Sequence, residues 1–303
     1  MSENTKIEWC DHTFNPWEGC QKIGPGCDNC YAATRNARFA GGIAINWGAG
    51  APRRRTSASN WNKPRAWNAQ ADAFFAQHGR RQRVFCASLA DVFDNEVDRE
   101  WRDDLATLIL DTPNLDWLLL TKRIGNAGAM MGEMFLDGPP DNLWLGATIV
   151  NREEMLRDGP KLKRVPALVH FWSCEPLLGD LGEIPSELIP HWIIAGGESG
   201  PGARPIHPDW ARSLRDQCQA AGTPFLFKQW GEWGEPDSIE ATGLAHQGWY
   251  EADRLDGGVP RHEWPGPVRN GVELASLRPE VFRVGKKAAG RLLDGRTWDE
   301  APT

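Results

Sequence analysis

Three cysteines lie close together in a glycine-rich segment, Asn15–Tyr31, which has the sequence NPWEGCQKIGPGCDNCY. Cys20, Cys27 and Cys30 follow the spacing Cys-x6-Cys-x2-Cys, and two cysteines separated by two residues are a frequent pair of metal ligands. Three thiolates suit a four-iron four-sulfur (4Fe-4S) cluster with one open iron, or a zinc ion that takes a fourth ligand. The segment therefore predicts a metal centre and leaves its metal open.

The other cysteines do not suggest a disulfide framework, because the total of seven is odd and four of them are scattered. Cys86, Cys174 and Cys218 lie singly in apolar or helical contexts and are interpreted as packing residues. If the metal is zinc, Cys10 or His12 is the available fourth ligand.

Short apolar runs form the elements that must position these residues, and each run ends in a polar or glycine-rich cluster. The runs are continuous rather than alternating, which is typical of parallel strands buried on both faces. The predicted strands are Arg83–Leu89, Asp116–Thr121, Leu143–Thr148, Ala167–Ser173, His191–Ala195 and Pro224–Phe227, with one more near Ile7–Phe14. Intervening helical patterns over Asp98–Asp111, Asn151–Leu162 and Pro208–Ala221 predict right-handed βαβ units.

The predicted fold class is therefore α/β, as a complete or partial parallel (β/α) barrel of the TIM type over residues 1–230. A basic and aromatic insertion occupies about residues 41–83 of this barrel. Residues 231–303 predict a loop-rich or antiparallel appendage rich in Trp, Gly and Pro, with a basic helix near Gly285–Leu293 that packs back on the barrel. Functional residues of such barrels collect at the carboxyl ends of the strands.

Charged residues follow several predicted strands at that edge. Glu175 comes just after a buried strand, where a carboxylate needs a partner or a function, so we assign it a catalytic role. Lys228 binds a phosphate or donates a proton, or else it closes a salt bridge at the rim. Lys122 and Arg123 clamp a phosphate or carboxylate of the substrate, or else they face solvent beside a helix.

Charge is distributed unevenly along the chain. The net charge of −7 argues against a protein that coats nucleic acid, yet Ala51–Arg83 carries eight basic residues and one acid. Cations for phosphates and an aromatic ring for base stacking would make this stretch a nucleic-acid path. The residues that would do so are Arg53, Arg54, Arg55, Lys63, Arg65 and Trp61. The alternative is a solvated insertion that balances an acidic barrel.

Neither a membrane segment nor an export signal is evident. The sequence contains no run of about 18 uncharged apolar residues. Its N-terminus, MSENTKIEWCDHTF, lacks the basic-then-apolar pattern of a signal peptide. We therefore expect a cytoplasmic protein that does not engage a membrane.

Five segments together resemble the three-cysteine-motif family of uncharacterised proteins from bacteriophages and mobile elements. The segments are NPWEGC...GCDNCYA around the cysteines, FWSCEPLLG (Phe171–Gly179), IIAGGESGPGARP (Ile193–Pro205), FKQWG (Phe227–Gly231) and GKKAAGRLLDGR (Gly285–Arg296). The resemblance runs across nearly the whole chain. It implies a bacterial cytoplasm, in a host cell or a bacterium that carries a mobile element.

That family in turn resembles the radical S-adenosylmethionine enzymes, which carry a cysteine loop after the first strand of a (β/α) barrel. The resemblance implies that Cys20, Cys27 and Cys30 bind three irons of a 4Fe-4S cluster and that the fourth iron chelates S-adenosylmethionine. One electron from an external donor then splits S-adenosylmethionine into methionine and a 5′-deoxyadenosyl radical. The usual first gap between the cysteines is three residues, so Gln21–Gly26 is expected to bulge.

In those enzymes a Gly-Gly-Glu at the end of the second strand contacts the amino group of the methionine. Here Gly196, Gly197 and Glu198 end a late strand, and two glycines would let a ligand approach the backbone closely. Ser88 and Asp91 follow the second strand, so the resemblance implies that one cluster or the other binds the cofactor.

The position of Arg204 in the same loop as Glu198 allows it to pair with that carboxylate or with a carboxylate of a ligand.

Three hypotheses of function follow. The leading one is a phage-type radical S-adenosylmethionine enzyme that modifies a nucleic acid or a nucleotide. The second is a zinc-stapled nucleic-acid-binding protein without catalysis. The third is a radical enzyme that modifies a peptide or a neighbour-encoded protein partner, with the Trp-rich segment Trp230–Trp264 as the docking site.

Overall fold

The computed structural model describes residues 5–243, 261–264, 268–269, 272–273 and 280–302. A seven-stranded sheet forms its centre, and every neighbouring pair of strands in it is parallel. The strands of this sheet, in spatial order, are β1 (His12–Thr13), β4 (Gln82–Cys86), β5 (Leu115–Thr121), β6 (Leu143–Thr148), β7 (Val169–Cys174), β8 (Trp192–Gly196) and β9 (Phe225–Gln229).

The spatial order of these strands follows the chain, with β1 and β9 at the two edges of the sheet. The α/β fold class is therefore confirmed, and the barrel is the partial one of the two alternatives. Six predicted strands agree with the structure to within one or two residues at most ends. The strand expected near Ile7–Phe14 shrinks to β1, because Cys10 donates to the carbonyl of Ile7 in a turn before it.

Helices lie in every connection between successive strands of this sheet except the one from β7 to β8, and in the described part of the chain two more helices follow β9. They are α1 (Tyr31–Phe39), α2 (Ala58–Trp61), α3 (Lys63–Ala69), α4 (Ala71–His78), α5 (Arg99–Leu110), α6 (Ile124–Met134), α7 (Arg152–Arg164), α8 (Pro208–Ala221), α9 (Pro236–Ala241) and α10 (Lys286–Ala289). The predicted α8 matches at both ends: the His207 side chain accepts from the amide of Asp209, and Gly222 ends the helix with φ of 66°.

The predicted insertion is part of the first crossover connection. A short strand β3 (Arg54–Arg55) pairs with β2 (Trp17–Glu18) in antiparallel fashion, and α2, α3 and α4 then lead into β4. Trp67 on α3 is buried, and its carbonyl accepts from the side chain of Gln82 on β4 over 3.0 Å. This part of the chain therefore packs on the sheet.

The strands bury both faces, as their continuous apolar sequences predict. The face under the helices carries residues such as Trp117, Trp172 and Phe225. The opposite face carries a second apolar cluster in which Trp9 packs on Phe85, with ring centroids 4.5 Å apart. The N-terminal segment therefore covers the helix-free face of the half-barrel.

The C-terminal part returns to the sheet. A small antiparallel sheet has the order β10 (Trp233–Gly234), β14 (Glu280–Arg283), β11 (Arg261–Glu263), and a second consists of β12 (Val268–Arg269) and β13 (Val272–Glu273). The expected tail helix is the single turn α10, which ends at Gly290 with φ of 70°. The backbone amide of Trp230 donates to the Gly290 carbonyl, so the tail packs on the sheet as expected.

Within the residues that the structure describes, no helix combines the length and apolarity that a membrane crossing needs.

Gly146 in β6 offers a test of how tightly side chains pack on the helix-free face of the sheet, where Phe171 lies. A Cβ at this position would lie 2.3 Å from Cζ of Phe171, its partner on β7. We expect Gly146→Ala to lower the free energy of unfolding by about 1–3 kcal/mol because the ring must move. Gly132→Ala is the control: no atom lies within 4 Å of a Cβ there, and alanine favours the helix α6. Urea unfolding measures both, and equal stability of the two variants would contradict the prediction.

Candidate active site

The cysteine loop runs from Cys20 to Cys30, between β2 and α1, and lies at the edge of the sheet where the parallel strands end. The amide of Gly19 donates to the Leu89 carbonyl just beyond β4, which anchors the start of the loop. Cys27 closes a 3-10 turn that begins at Pro25, and Cys30 is the N-cap residue of α1. The predicted position of the loop, ahead of a helix that starts at Tyr31, is confirmed.

The three cysteines have different environments. All seven cysteines of the chain are free thiols, Cys27 is buried, and Cys20 and Cys30 are half-buried. The Cys20 sulfur accepts a hydrogen bond from Nη1 of Arg123 over 3.2 Å. Burial raises the pKa of the Cys20 thiol to about 11, and the Arg123 guanidinium acts in the opposite direction.

The donor chemistry of the loop fits a thiolate-bound metal group, since three free thiols follow one another on one glycine-rich segment. In the described part of the chain, however, no three His, Cys, Asp or Glu side chains are gathered closely enough to hold an ion. The metal assignment of Cys20, Cys27 and Cys30 therefore stays a prediction.

Both residues considered as a fourth zinc ligand are engaged elsewhere. Nε2 of His12 lies 2.6 Å from Oε1 of Gln82, and its ring stacks on Trp67 at 4.1 Å between centroids. Cys10 is buried in the apolar cluster around Trp9, where burial strongly raises the pKa of its thiol. Neither residue is arranged to complete a site with the cysteine loop.

Glu198, which is predicted to contact a cofactor, lies at the centre of a contact that holds the cysteine loop. Its Oε2 accepts from Nδ2 of Asn29 (2.9 Å) and from the amide and Nε of Arg204 (2.8 and 3.0 Å), while its Oε1 accepts from Nη2 of Arg204 (2.7 Å). Arg204 thus pairs with Glu198, the first of its two predicted alternatives. Burial opposes the charge of Glu198, but these hydrogen bonds hold the pKa of its carboxyl below the ordinary value.

The glycines before Glu198 lie close to the end of the neighbouring strand β9. A Cβ at Gly197 would lie 1.8 Å from the backbone oxygen of Trp230, and the Gly197 amide donates to the Gln229 carbonyl over 2.9 Å. The absence of a side chain at Gly197 therefore lets the backbone at the end of β9 approach it closely. At Gly196 a Cβ would make only ordinary contacts, including 3.5 Å to Oε1 of Glu175.

The second predicted cofactor cluster also consists of residues with partners inside the protein. Asp91 accepts from the Thr121 hydroxyl (2.7 Å), from the amides of Phe93 and Lys122 (both 3.0 Å) and from Nη1 of Arg123 (3.3 Å). These bonds join the end of β5 to the loop after β4.

The carbonyl of Ser88 accepts from the Tyr31 hydroxyl over 2.6 Å, and its own hydroxyl accepts from Nδ2 of Asn15 over 3.0 Å. Ser88 therefore connects the end of β4 to both sides of the cysteine loop.

Glu175 and Lys228, the two predicted catalytic residues, form an ion pair across the end of β8. Nζ of Lys228 lies 2.7 Å from Oε1 of Glu175, and the Ser173 hydroxyl donates to the other carboxylate oxygen over 3.3 Å. Burial opposes the charge of Lys228, but the Glu175 carboxylate holds the pKa of the lysine above its ordinary value. The pair therefore holds a proton at Nζ, beside Oε1 of Glu175.

Lys122 lines a small polar cavity beneath the cysteine loop. Its Nζ donates to the Thr148 hydroxyl over 3.2 Å, so it is not the solvent-facing residue of the alternative prediction. The cavity has a volume of about 90 Å³ and is lined by Ile23, Gly24, Gly26, Lys122, Thr148, Glu154, Arg157 and Asp158. Sites for drug-sized ligands start at roughly 300 Å³, so this cavity is too small for a nucleotide.

A larger groove of about 680 Å³ lies beside α8, on the helix side of the sheet, and contains none of the predicted site residues. Its lining residues are Gly182, Glu183, Asp209, Arg212, Ser213, Asp216 and Gln217.

The basic stretch is largely neutralised inside the protein, which corrects part of the predicted nucleic-acid path. Arg53 is buried and binds Asp94 over 2.8 Å, and Trp61 is only 8% exposed, so neither is available to a ligand from solution. Arg55 binds Asp104 over 2.6 Å and lies over the Trp61 ring at 4.3 Å. These contacts favour the alternative in which the stretch balances acidic parts of the barrel.

Part of the basic stretch still faces solvent. The side chain of Arg54 is 63% exposed and pairs with Glu18, and that of Arg65 is 49% exposed and pairs with Asp111. Lys63 is half-buried at the start of α3. These three residues are what the structure leaves of the predicted path.

Residues 4–302 match the protein family described as "Protein of unknown function (DUF5131)". The chain belongs to this family. No curated protein matches this DUF5131 chain in sequence.

Solved structures include two mutant forms of spore photoproduct lyase that are similar to this DUF5131 chain. The form with bound AdoMet and dinucleoside spore photoproduct is 13% identical, with 93% of this chain and 70% of the lyase covered and a TM-score of 0.40. A second form with the dinucleoside is 12% identical over the same shares, with a TM-score of 0.41. A class V chitinase from Pseudomonas fluorescens Pf-5 is 13% identical over 88% of this chain and 87% of the chitinase, with a TM-score of 0.23.

Sequence patterns did not indicate the contacts of Asn29 and Asn15. Asn29 meets Glu198 across 169 residues, and Asn15 accepts from the Leu89 amide across 74 residues. Polar residues in a loop carry no signal of such distant partners. Residues 244–260 of the Trp-rich docking segment Trp230–Trp264 lie outside the described residues, and the role of the segment stays a prediction.

Removal of the Glu198 charge tests the contact that holds the loop. We expect Glu198→Gln to lower the free energy of unfolding at pH 7 by about 2 kcal/mol, because charged hydrogen bonds are lost. Since folding lowers the pKa of Glu198, its stabilisation is present above the ordinary value of 4.5 and is lost as the pH falls through the lowered value. The difference from the wild type should therefore shrink below pH 4.5.

Urea unfolding between pH 3 and 8 measures this dependence. Glu96→Gln, at an exposed position after β4, is the matched control and should leave stability unchanged at every pH. A difference between Glu198→Gln and the wild type that is the same at all pH values would contradict the assignment.

Proposed function

We propose that this chain is a radical S-adenosylmethionine enzyme in which Cys20, Cys27 and Cys30 bind a 4Fe-4S cluster. The observation that supports this most directly is the placement of three free thiols on one loop at the carboxyl edge of a parallel half-barrel. Barrels of this type carry their reactive groups at that edge. His12 and Cys10 are engaged elsewhere, so the zinc alternative would need water or another group as its fourth ligand.

When bound, such a cluster supplies the electron that splits S-adenosylmethionine and so generates the 5′-deoxyadenosyl radical. The electron comes from an external donor. The contribution of the protein is to bind the cofactor and the substrate, to orient them and to exclude water from the site.

Glu175 and Lys228 are proposed to act on the substrate as an ion pair. Their contact of 2.7 Å lets the Glu175 carboxylate orient the Lys228 ammonium group, which can then bind an anionic group of the substrate. The raised pKa of Lys228 means that the lysine keeps its proton and its positive charge at neutral pH, which suits binding of an anionic group.

For S-adenosylmethionine we propose binding near the strand ends at Ser88 and Gly196. Both positions adjoin the cysteine loop or the ion pair of Glu175. Asp91, Gly197 and Glu198 then act by holding these strand ends and the loop in place, because their polar groups and backbone are already engaged.

The proposed substrate is a nucleic acid or a nucleotide. This proposal rests on the exposed Arg54 and Arg65 and the half-buried Lys63 rather than on the whole basic stretch. A bacterial cytoplasm, a phage or mobile-element origin and a barrel boundary near residue 230 also belong to the proposal. They rest on the sequence resemblance and the composition.

Metal analysis tests the proposed cluster. Protein purified and reconstituted without oxygen should contain about four irons and four sulfides per chain, since three thiolates of one loop hold the cluster. The combined variant Cys20→Ala, Cys27→Ala, Cys30→Ala should contain neither, whereas Cys218→Ala, a buried packing residue, should keep both. The wild type with a strong reductant should then release 5′-deoxyadenosine from S-adenosylmethionine. One tightly bound zinc and no visible chromophore would overturn the proposal.

Nucleic-acid binding is tested with the combined variant Arg54→Ala, Lys63→Ala, Arg65→Ala. We expect weaker binding to a single-stranded oligonucleotide and a salt slope that falls by up to about 0.7 per lost phosphate contact. Fluorescence anisotropy at several salt concentrations measures both. Arg99→Ala removes an exposed cation on α5 and serves as the control. Unchanged binding by the triple variant would exclude this surface as the path.

A further inference from the structure

The long gap between the first two cysteines must be held in shape by contacts from elsewhere in the chain. Gln21–Gly26 has six residues, and its backbone has two arginine partners. Arg123 reaches it from the end of β5, and Arg204 reaches it from the loop after β8. The two arginines approach opposite ends of the gap.

Arg123 holds the first end. Its Nη2 donates to the Gln21 carbonyl over 2.9 Å, and its Nη1 donates to the sulfur of Cys20 over 3.2 Å. The side chain is only 6% exposed, and its charge is balanced by Asp91 at 3.3 Å and Asp94 at 3.9 Å. A guanidinium that is buried and fixed by two carboxylates keeps one orientation.

Arg204 holds the second end. Its Nη2 donates to the Pro25 carbonyl over 2.8 Å, and its Nη1 donates to Oδ2 of Asp28 over 3.0 Å. The Glu198 carboxylate, 6% exposed, fixes the guanidinium from the other side. In contrast to Arg123, the contacts of Arg204 with the loop are to oxygen atoms.

We propose that Arg123 and Arg204 are positioning residues that clamp the two ends of the Cys20–Cys27 gap, and that Arg123 also stabilises negative charge on Cys20. The second statement rests on the proposed cluster, whereas the clamp does not. Preorganised partners of ligand residues tune a metal centre through hydrogen bonds to the ligand atoms. The two arginines therefore have separable effects.

Hydrogen exchange of the full-length protein tests the clamp without the cluster. The amides of Gln21–Asp28 should exchange at least about tenfold faster in Arg123→Gln and in Arg204→Gln than in the wild type, because each variant frees one end of the gap. Arg99→Gln, which removes an exposed cation on α5, should leave these rates unchanged. Unchanged rates in both arginine variants would overturn the clamp.

The midpoint potential of the reconstituted protein tests the contact with sulfur. Arg123→Gln should shift the potential to a more negative value, because the reduced centre loses a hydrogen bond and a nearby cation. Arg204→Gln should keep the potential of the wild type. Arg123→Lys keeps the positive charge but loses the two parallel N–H donors of the guanidinium, so its potential should lie between those of Arg123→Gln and the wild type. This variant also replaces Arg123→Gln if the latter does not fold. Equal potentials in Arg123→Gln and the wild type would overturn the role of Arg123 at the sulfur.

The two experiments separate failure of the inference from failure of the proposed function. If the wild type binds no iron but both variants accelerate exchange, the clamp is supported and the cluster is refuted. If the cluster forms and exchange is unchanged, the clamp is refuted and the cluster stands.

Discussion

The ion pair between Glu198 and Arg204 links the loop after β8 to the cysteine loop. Glu198 follows β8, and the guanidinium that it fixes donates to the Pro25 carbonyl, in the loop that follows β2. A carboxylate that is 6% exposed needs its full set of hydrogen bonds, because loss of one partner leaves a buried charge without compensation. The position of the cysteine loop at the mouth of the half-barrel therefore depends on this contact.

Buried, hydrogen-bonded charges also connect the carboxyl ends of other strands of the sheet to the cysteine loop. Asp91, in the loop after β4, accepts hydrogen bonds from Lys122 and Arg123 at the end of β5. Arg123 in turn donates to the Cys20 sulfur. Buried polar groups of this kind are retained only as a connected set, since a half-satisfied group in a low-dielectric site costs more than it contributes. The loop is thus supported by two networks that meet it at different places, one at Gln21 and one at Pro25.

The basic stretch shows why charge counted along a chain differs from charge on a surface. Its arginines find acids that are distant in sequence: Arg53 binds Asp94, and Arg80 binds Asp11 with two hydrogen bonds. The stretch forms the crossover between β1 and β4 and must pack on an acidic protein, so its cations are used for that packing. Of the six residues predicted to meet nucleic acid, Arg54 and Arg65 remain exposed and Lys63 half-buried, and their role stays a prediction.

The sequence by itself determined the α/β class, most strand positions and the cysteine loop before α1. These features depend on local patterns: continuous apolar runs, a helix that opens with His207–Pro208 and closes with Gly222, and a cysteine spacing within eleven residues. The tertiary structure alone decided the partners of each strand-end residue. Glu198 and Gly197 belong to a Gly-Gly-Glu motif that is typical of ligand binding. In this structure Glu198 binds Arg204 and Asn29, and Gly197 lies against the backbone of Trp230. The contact between Asn29 and Glu198 spans 169 residues, and contacts of this kind arise because parallel strands bring all their carboxyl ends to one edge, where neighbouring loops meet.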